Sequence, residues 1–192
     1  MKVGLFFGSF NPVHIGHLAI ANYITEFTDI EQIWLVISPQ NPFKKKSSLL
    51  ADYHRYELIY RAIADCQKIK ASKVEFSMPK PSYTIDTLTY LHEKYPQNDF
   101  VLIMGADCLP TFDKWKNHEK ILEYYSVYVY PRIGNYNCEM QQHPKVKLIS
   151  GCPKIEVSAS FIRQAIKEQK DIQFFVPAAT YSYMREMHFY EK

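Results

Sequence analysis

Apolar residues in this chain fall in short unbroken runs separated by amphipathic stretches. KVGLFF (2–7), QIWLVIS (32–38), KVEFSM (73–78), FVLIMG (100–105), YSVYVYP (125–131) and KVKLIS (145–150) read as strands. Segments 17–27, 52–66, 84–95, 113–123, 159–169 and 178–187 carry apolar residues at helical spacing. Strands and helices alternate, and the strands are runs rather than in–out alternations. That order predicts an α/β fold, a doubly wound parallel sheet covered on both faces. Ligands of such sheets bind outside the carboxyl ends of the strands. Residues 39–50, with Pro39, Pro42 and three lysines, read as a loop, and 132–144 as a variable loop. Nothing in the pattern divides the chain, so one domain is expected over 1–192.

Composition changes this picture little. The 192 residues are 47% hydrophobic and 22% charged, with a net charge of +3, as expected of a globular domain with a substantial core. A nucleic-acid binder would carry stripes of Lys and Arg, whereas the basic run here is Lys44-Lys45-Lys46. No apolar run reaches membrane-spanning length, and the chain opens directly on strand-like residues, leaving little for targeting. Cys66, Cys108, Cys138 and Cys152 form no CxxC pair and lie at no zinc-ligand spacing from a histidine pair. Reduced thiols in a cytoplasmic protein are the simplest reading, with no nucleic-acid or membrane partner. A homo-oligomer is compatible with the sequence, which is silent on it.

The chemistry concentrates where the first strand meets the first helix, in Gly8-Ser9-Phe10-Asn11-Pro12-Val13-His14-Ile15-Gly16-His17. A small-residue turn lets backbone N–H groups approach phosphate oxygens, and the helix N-terminus adds the positive end of its dipole. His14 and His17, three apart, face the same oxygens if the turn is helical. Histidine both donates a hydrogen bond and can carry charge near neutral pH. The plainer alternative is a glycine-rich connection with His14 on the surface and His17 in the first helical turn.

This segment resembles the first motif of the nucleotidyltransferase superfamily, which shares (H/T)xGH with class I aminoacyl-tRNA synthetases. A synthetase core would need a longer chain and a KMSKS-like lysine loop. VSASFIRQAI (157–166) resembles the second signature, ISSTxIR. PSYTIDTLTYL (81–91), GADCLPTFDKW (105–115) and FVPAATYSYMREMHFY (175–190) resemble the SYTxDTL, GADxLxxFxxW and closing VPxxVxxYIxxxxLY segments of nicotinate mononucleotide adenylyltransferases. The likeness runs over nearly the whole chain, in order. It implies a Rossmann-like nucleotidyltransferase fold that passes AMP from ATP to nicotinate mononucleotide, releasing pyrophosphate and yielding nicotinate adenine dinucleotide in NAD biosynthesis. ATP and the mononucleotide would be its partners, and Mg²⁺ would arrive with ATP rather than in a cage of protein ligands.

The same likeness implies residue roles. His14, His17 and Arg163 would be catalytic. Gly8, Ser9, Phe10, Gly105, Asp107, Ser158 and Phe161 would hold ATP, Asp107 toward the ribose. Lys44, Tyr83, Thr84, Thr87, Trp115 and Arg132 would receive the mononucleotide, Trp115 stacking on the pyridine ring. Read as residues alone, Asp107 and Ser158 could be helix caps, Phe161 core, Thr84 and Thr87 a capped helix start, and Trp115 a lid on the core. The chain departs from the family pattern at Asn11 (commonly Asp), Phe43 (His), Ala159-Ser160 (Ser-Thr) and Ile133 (Pro). Nicotinamide mononucleotide or phosphopantetheine as acceptor, or a non-catalytic nucleotide-binding protein, are the alternatives.

Overall fold

Strands that are apolar at every position need cover on both faces. The computed structural model, which describes residues 1–39 and 49–191, supplies it with helices on either side of a single sheet. The strands are β1 (Lys2–Gly8), β2 (Gln32–Ile37), β3 (Ile69–Ser72), β4 (Asp99–Gly105), β5 (Ser126–Tyr130) and β6 (Val146–Leu148). All pair in parallel in the order β3-β2-β1-β4-β5-β6. The helices are α1 (Ile15–Phe27), α2 (Asp52–Ala62), α3 (Thr84–Lys94), α4 (His118–Tyr124), α5 (Ala159–Lys167) and α6 (Ala178–Glu186).

The two faces explain the unbroken runs. On β4, Phe100, Leu102 and Met104 enter one buried cluster, while Val101 and Ile103 enter the other. The first cluster is completed by Leu88 of α3 and Ile121 of α4. The second is completed by Ile24 of α1, Leu58 of α2, Ile162 of α5 and Met184 of α6. Gly4 belongs on the central strand because a Cβ there would lie 3.0 and 3.1 Å from the Ile103 and Ile33 side chains. Strand order reverses between β1 and β4, so their carboxyl ends, Gly8 and Gly105, flank the crevice where this topology receives ligands.

Several boundaries differ from the sequence expectation. The third strand lies at 69–72, not 73–78. In register with β2, Ser72 is level with Val36, next to the end of that strand, and the chain then coils into a short 3₁₀ turn, Val74–Ser77. Glu75, inside the supposed strand, is buried and accepts hydrogen bonds from Ser82 Oγ and Thr87 Oγ1, each at 2.8 Å. The helix expected over 113–123 is split into a 3₁₀ segment, Leu109–Lys114, and α4, joined through Asn117 at φ 52°. The loop over 132–144 contains a short 3₁₀ turn, Glu139–Gln142. Among the described residues no helix is long and apolar enough to cross a membrane.

Phe112 is fully buried against α4, so Phe112→Ala should lower the unfolding free energy by about 3–5 kcal/mol in a urea titration. Phe174 is exposed, and Phe174→Ala should change it by less than about 0.5 kcal/mol.

Candidate active site

β1 stops at Gly8 because the chain must turn sharply there. Phe10 sits at φ 44° with its ring buried, and a Cβ on Gly8 would lie 3.0 Å from that ring. A bulky residue in the left-handed region costs on the order of 1–3 kcal/mol and persists only where neighbours over-determine it. Here they do. Arg163 Nη1 donates to the Asn11 carbonyl at 2.7 Å, and the Tyr190 hydroxyl donates to Asn11 Oδ1 at 2.7 Å. Leu50 N–H donates to the same Oδ1 at 3.1 Å.

His14 caps α1, and its ring stacks on that of His17 with centroids 3.7 Å apart and planes at 28°. The His14 backbone N–H donates to His17 Nδ1 at 3.3 Å, so the proton of a neutral His17 ring sits on Nε2, as a donor. Phe10 meets the His17 ring edge-on at 5.0 Å and holds its plane. His14 is 95% buried by its 5% residual exposure, and among the described residues its Nδ1 meets no hydrogen-bond partner. Burial, and then the nearby charge of Arg132, push its pKa down to about 4. The expectation of charge near neutral pH therefore fails for His14, which is neutral at pH 7. A buried, unpaired ring nitrogen costs about 1–3 kcal/mol until something bonds to it.

Both rings line a cavity of about 340 Å³ at the carboxyl ends of β1 and β4. On the opposite wall α5 begins. Ser158 is its N-cap, with Oγ accepting from Phe161 N–H at 3.1 Å, and Ser158, Ala159 and Ser160 reach the cavity. Two helix N-termini thus converge with Arg163 on one space, an arrangement that binds anions. Arg163 Nη2 also bonds Ser160 Oγ at 3.2 Å, which fixes the guanidinium plane. Across the floor, Arg132 Nε lies 3.6 Å from Asp107 Oδ1, both partly exposed. Gly105 permits this, since a Cβ there would collide with the Asp107 carboxylate and crowd the Tyr130 hydroxyl.

Of the residues singled out in the sequence, Gly8, Ser9, Phe10, His14, His17, Asp107, Arg132, Ser158 and Arg163 line this cavity. Gly105 stands behind Asp107. Phe161 is half exposed and meets Phe175 edge-on at 5.2 Å. Tyr83, Thr84 and Trp115 lie outside the cavity wall. The Tyr83 ring is covered by the Lys116 ammonium at 4.5 Å, and Trp115 is half buried, 5.3 Å from Phe112. Thr87 needs correction as a ligand residue: it is fully buried, and its hydroxyl is committed to Glu75. Lys44 lies outside the described residues.

Sequence reasoning missed Arg55, Glu75 and Tyr190. Each left a trace: Arg55 shares the apolar stripe of α2 with Leu58 and Ile59, and Glu75 interrupts an apolar run. Tyr190 closes the last motif. Among the described residues no three His, Cys, Asp or Glu side chains gather as metal ligands.

Comparison with known proteins fits this geometry. A family profile described as Cytidylyltransferase-like matches residues 5–165. A Cytophaga hutchinsonii protein named "Probable nicotinate-nucleotide adenylyltransferase" is 53% identical, covering 92% of this chain and 91% of its own. One of the same name from Flavobacterium johnsoniae is 50% identical with 100% of both chains covered. Among solved structures, a Plasmodium falciparum nicotinic acid mononucleotide adenylyltransferase complexed with NaAD superposes with a TM-score of 0.82 at 23% identity, over 99% of this chain and 97% of that one. At that identity the likeness is one of fold.

The low pKa of His14 has a thermodynamic consequence. Below pH 6.5 the unfolded chain takes up a proton at His14 that the folded protein refuses until about pH 4, so folding stability falls with acid across that window. Between pH 6.5 and 4, urea titrations should show wild type losing more unfolding free energy than His14→Asn, by up to about 3 kcal/mol.

Proposed function

The chain belongs to the cytidylyltransferase-like family and, within it, to the nicotinate-nucleotide adenylyltransferases, and from that premise we propose how its residues carry out the reaction. It transfers AMP from ATP to nicotinate mononucleotide, giving nicotinate adenine dinucleotide and pyrophosphate in NAD biosynthesis. In this reading a phosphate oxygen of the mononucleotide attacks the α-phosphorus of ATP in line. The new P–O bond forms as the bond to pyrophosphate breaks, and pyrophosphate departs with the electron pair. The attacking phosphate is already ionised and needs no base. What remains for the protein is to bring two anions together and stabilise the charge that builds on the bridging oxygen.

The observation that carries the assignment is the buried, unpartnered Nδ1 of His14 in a wall shared by two helix N-termini and Arg163. Such a wall is incomplete without an anion. His14, His17 and Arg163 would take the triphosphate, with backbone groups of Gly8, Ser9 and Phe10 alongside. Asp107 would accept from ribose hydroxyls beside Gly105, and Ser158 and Phe161 would border the adenine. Tyr83, Thr84, Trp115, Arg132 and Lys44 would serve the acceptor. The cavity wall is rich in donors and cations, which suits phosphate oxygens, so Mg²⁺ is read as arriving with ATP, held by phosphates and water. A single domain over 1–192, working in the cytoplasm on small nucleotides, completes the reading.

Purified protein with Mg-ATP should release pyrophosphate with nicotinate mononucleotide and far less with nicotinamide mononucleotide or phosphopantetheine. Release that ignores the acceptor, or favours either of the others, overturns the assignment. His17→Ala should lower kcat by about 10²–10³ with a smaller change in KM for ATP, measured by the same assay.

A further inference from the structure

Arg55 is the largest fully buried side chain among the described residues; it does not line the cavity but bonds the backbone carbonyl of Ser9, which does. Its guanidinium gathers carbonyls from separate segments. Nη1 donates to Ser9 O at 2.7 Å and to Ser38 O at 2.8 Å, and Nε donates to Leu50 O at 3.1 Å. Nη2 donates to Asp52 Oδ1 at 2.6 Å. Ser9 is in the strained turn after β1, Ser38 follows β2, and Leu50 leads into α2. Ser38 N–H also donates to Gly8 O at 2.9 Å, so the ends of β1 and β2 are tied together at this point.

A buried arginine is an expensive way to stabilise a core. Replacing such a charge with apolar packing is often neutral or better for stability. Asp52, its carboxylate partner, is itself partly exposed. The geometry offers a reason for its presence. In a trans peptide the C=O and N–H point in opposite directions. Holding Ser9 O on Arg55 therefore turns the Phe10 N–H away from the guanidinium, and both residues of that peptide border the cavity. Arg163 and Tyr190 fix the other end of the turn through Asn11. The donors of the turn are then set before any nucleotide arrives.

We propose that Arg55 is a positioning residue for adenylyl transfer: from the carboxyl ends of β1 and β2 it fixes the Ser9–Phe10 peptide so that the turn presents its donors to the reacting phosphates. The proposal rests on the adenylyl-transfer reading, and wild-type pyrophosphate release, measured first, tests that reading separately. Lysine in place of Arg55 keeps the charge but not the fork that spans the carbonyls.

Arg55→Lys should lower kcat per folded molecule by about tenfold to a hundredfold, the scale of a small misplacement of reacting groups, with KM for ATP changed less than about threefold. Leu58→Ala is the control. It is equally buried on α2 and holds none of the carbonyls that Arg55 holds, so it should lower the melting temperature and leave kcat per folded molecule at the wild-type value. Wild-type kcat in folded Arg55→Lys, or an equal loss in Leu58→Ala, overturns the proposal. If Arg55→Lys does not fold, Asp52→Asn decides, because Asp52 is partly exposed and Arg55 keeps its carbonyls but loses its anionic anchor. A loss of about three- to tenfold in kcat with KM for ATP held supports the role, and full activity overturns it.

Discussion

One hydrogen bond organises the site: the guanidinium of Arg163 on the carbonyl of Asn11, 2.7 Å long across 152 positions of sequence. It is charge-assisted and partly buried, the kind that contributes most among protein hydrogen bonds. It seats α5 against the turn that follows β1, so that two helix N-termini open on a common space. Without it Asn11 would keep only the side-chain bonds from Tyr190 and Leu50, and the first turn of α5 would lose its charge-assisted tie to the turn after β1. The parallel sheet makes this meeting achievable, because it delivers the ends of β1 and β4 side by side at the reversal of strand order.

The charges around that space are arranged ahead of the ligand. His14 stays neutral because it is buried and because Arg132 stands near, and the Arg132 guanidinium is in turn partly compensated by Asp107. The Tyr130 hydroxyl beside them is driven to higher pKa by burial and so remains a donor. Electrostatic stabilisation of a reaction is strongest when dipoles and charges need not reorganise as it proceeds. A stacked ring pair, a capped helix and a guanidinium fixed at both terminal nitrogens meet that condition.

Much of this was legible in the chain. Unbroken apolar runs marked strands buried on two faces, and the glycine-rich turn with two histidines marked the cavity. Local signals failed where side chains answer to distant partners. KVEFSM reads as a strand, yet Glu75 at its centre is drawn in by Ser82 and Thr87. The one-turn spacing of Thr84 and Thr87 shows that they share a helix face but not that Thr87 turns inward. Arg55 and Tyr190 act on backbone carbonyls and on Asn11, contacts that leave no complementary residue pattern to read. The Asn11 departure from the commoner Asp is also clearer in three dimensions, since its Oδ1 accepts from both Tyr190 and Leu50.

The bond between Tyr190 and Asn11 joins positions 179 apart. During translation the first strand and its turn leave the ribosome early, while the hydroxyl that steadies Asn11 emerges much later. The nascent chain thus carries an unfinished corner through most of its synthesis, and a premature stop between residues 149 and 189 would release a chain with all six strands encoded and the Tyr190 bond to Asn11 missing.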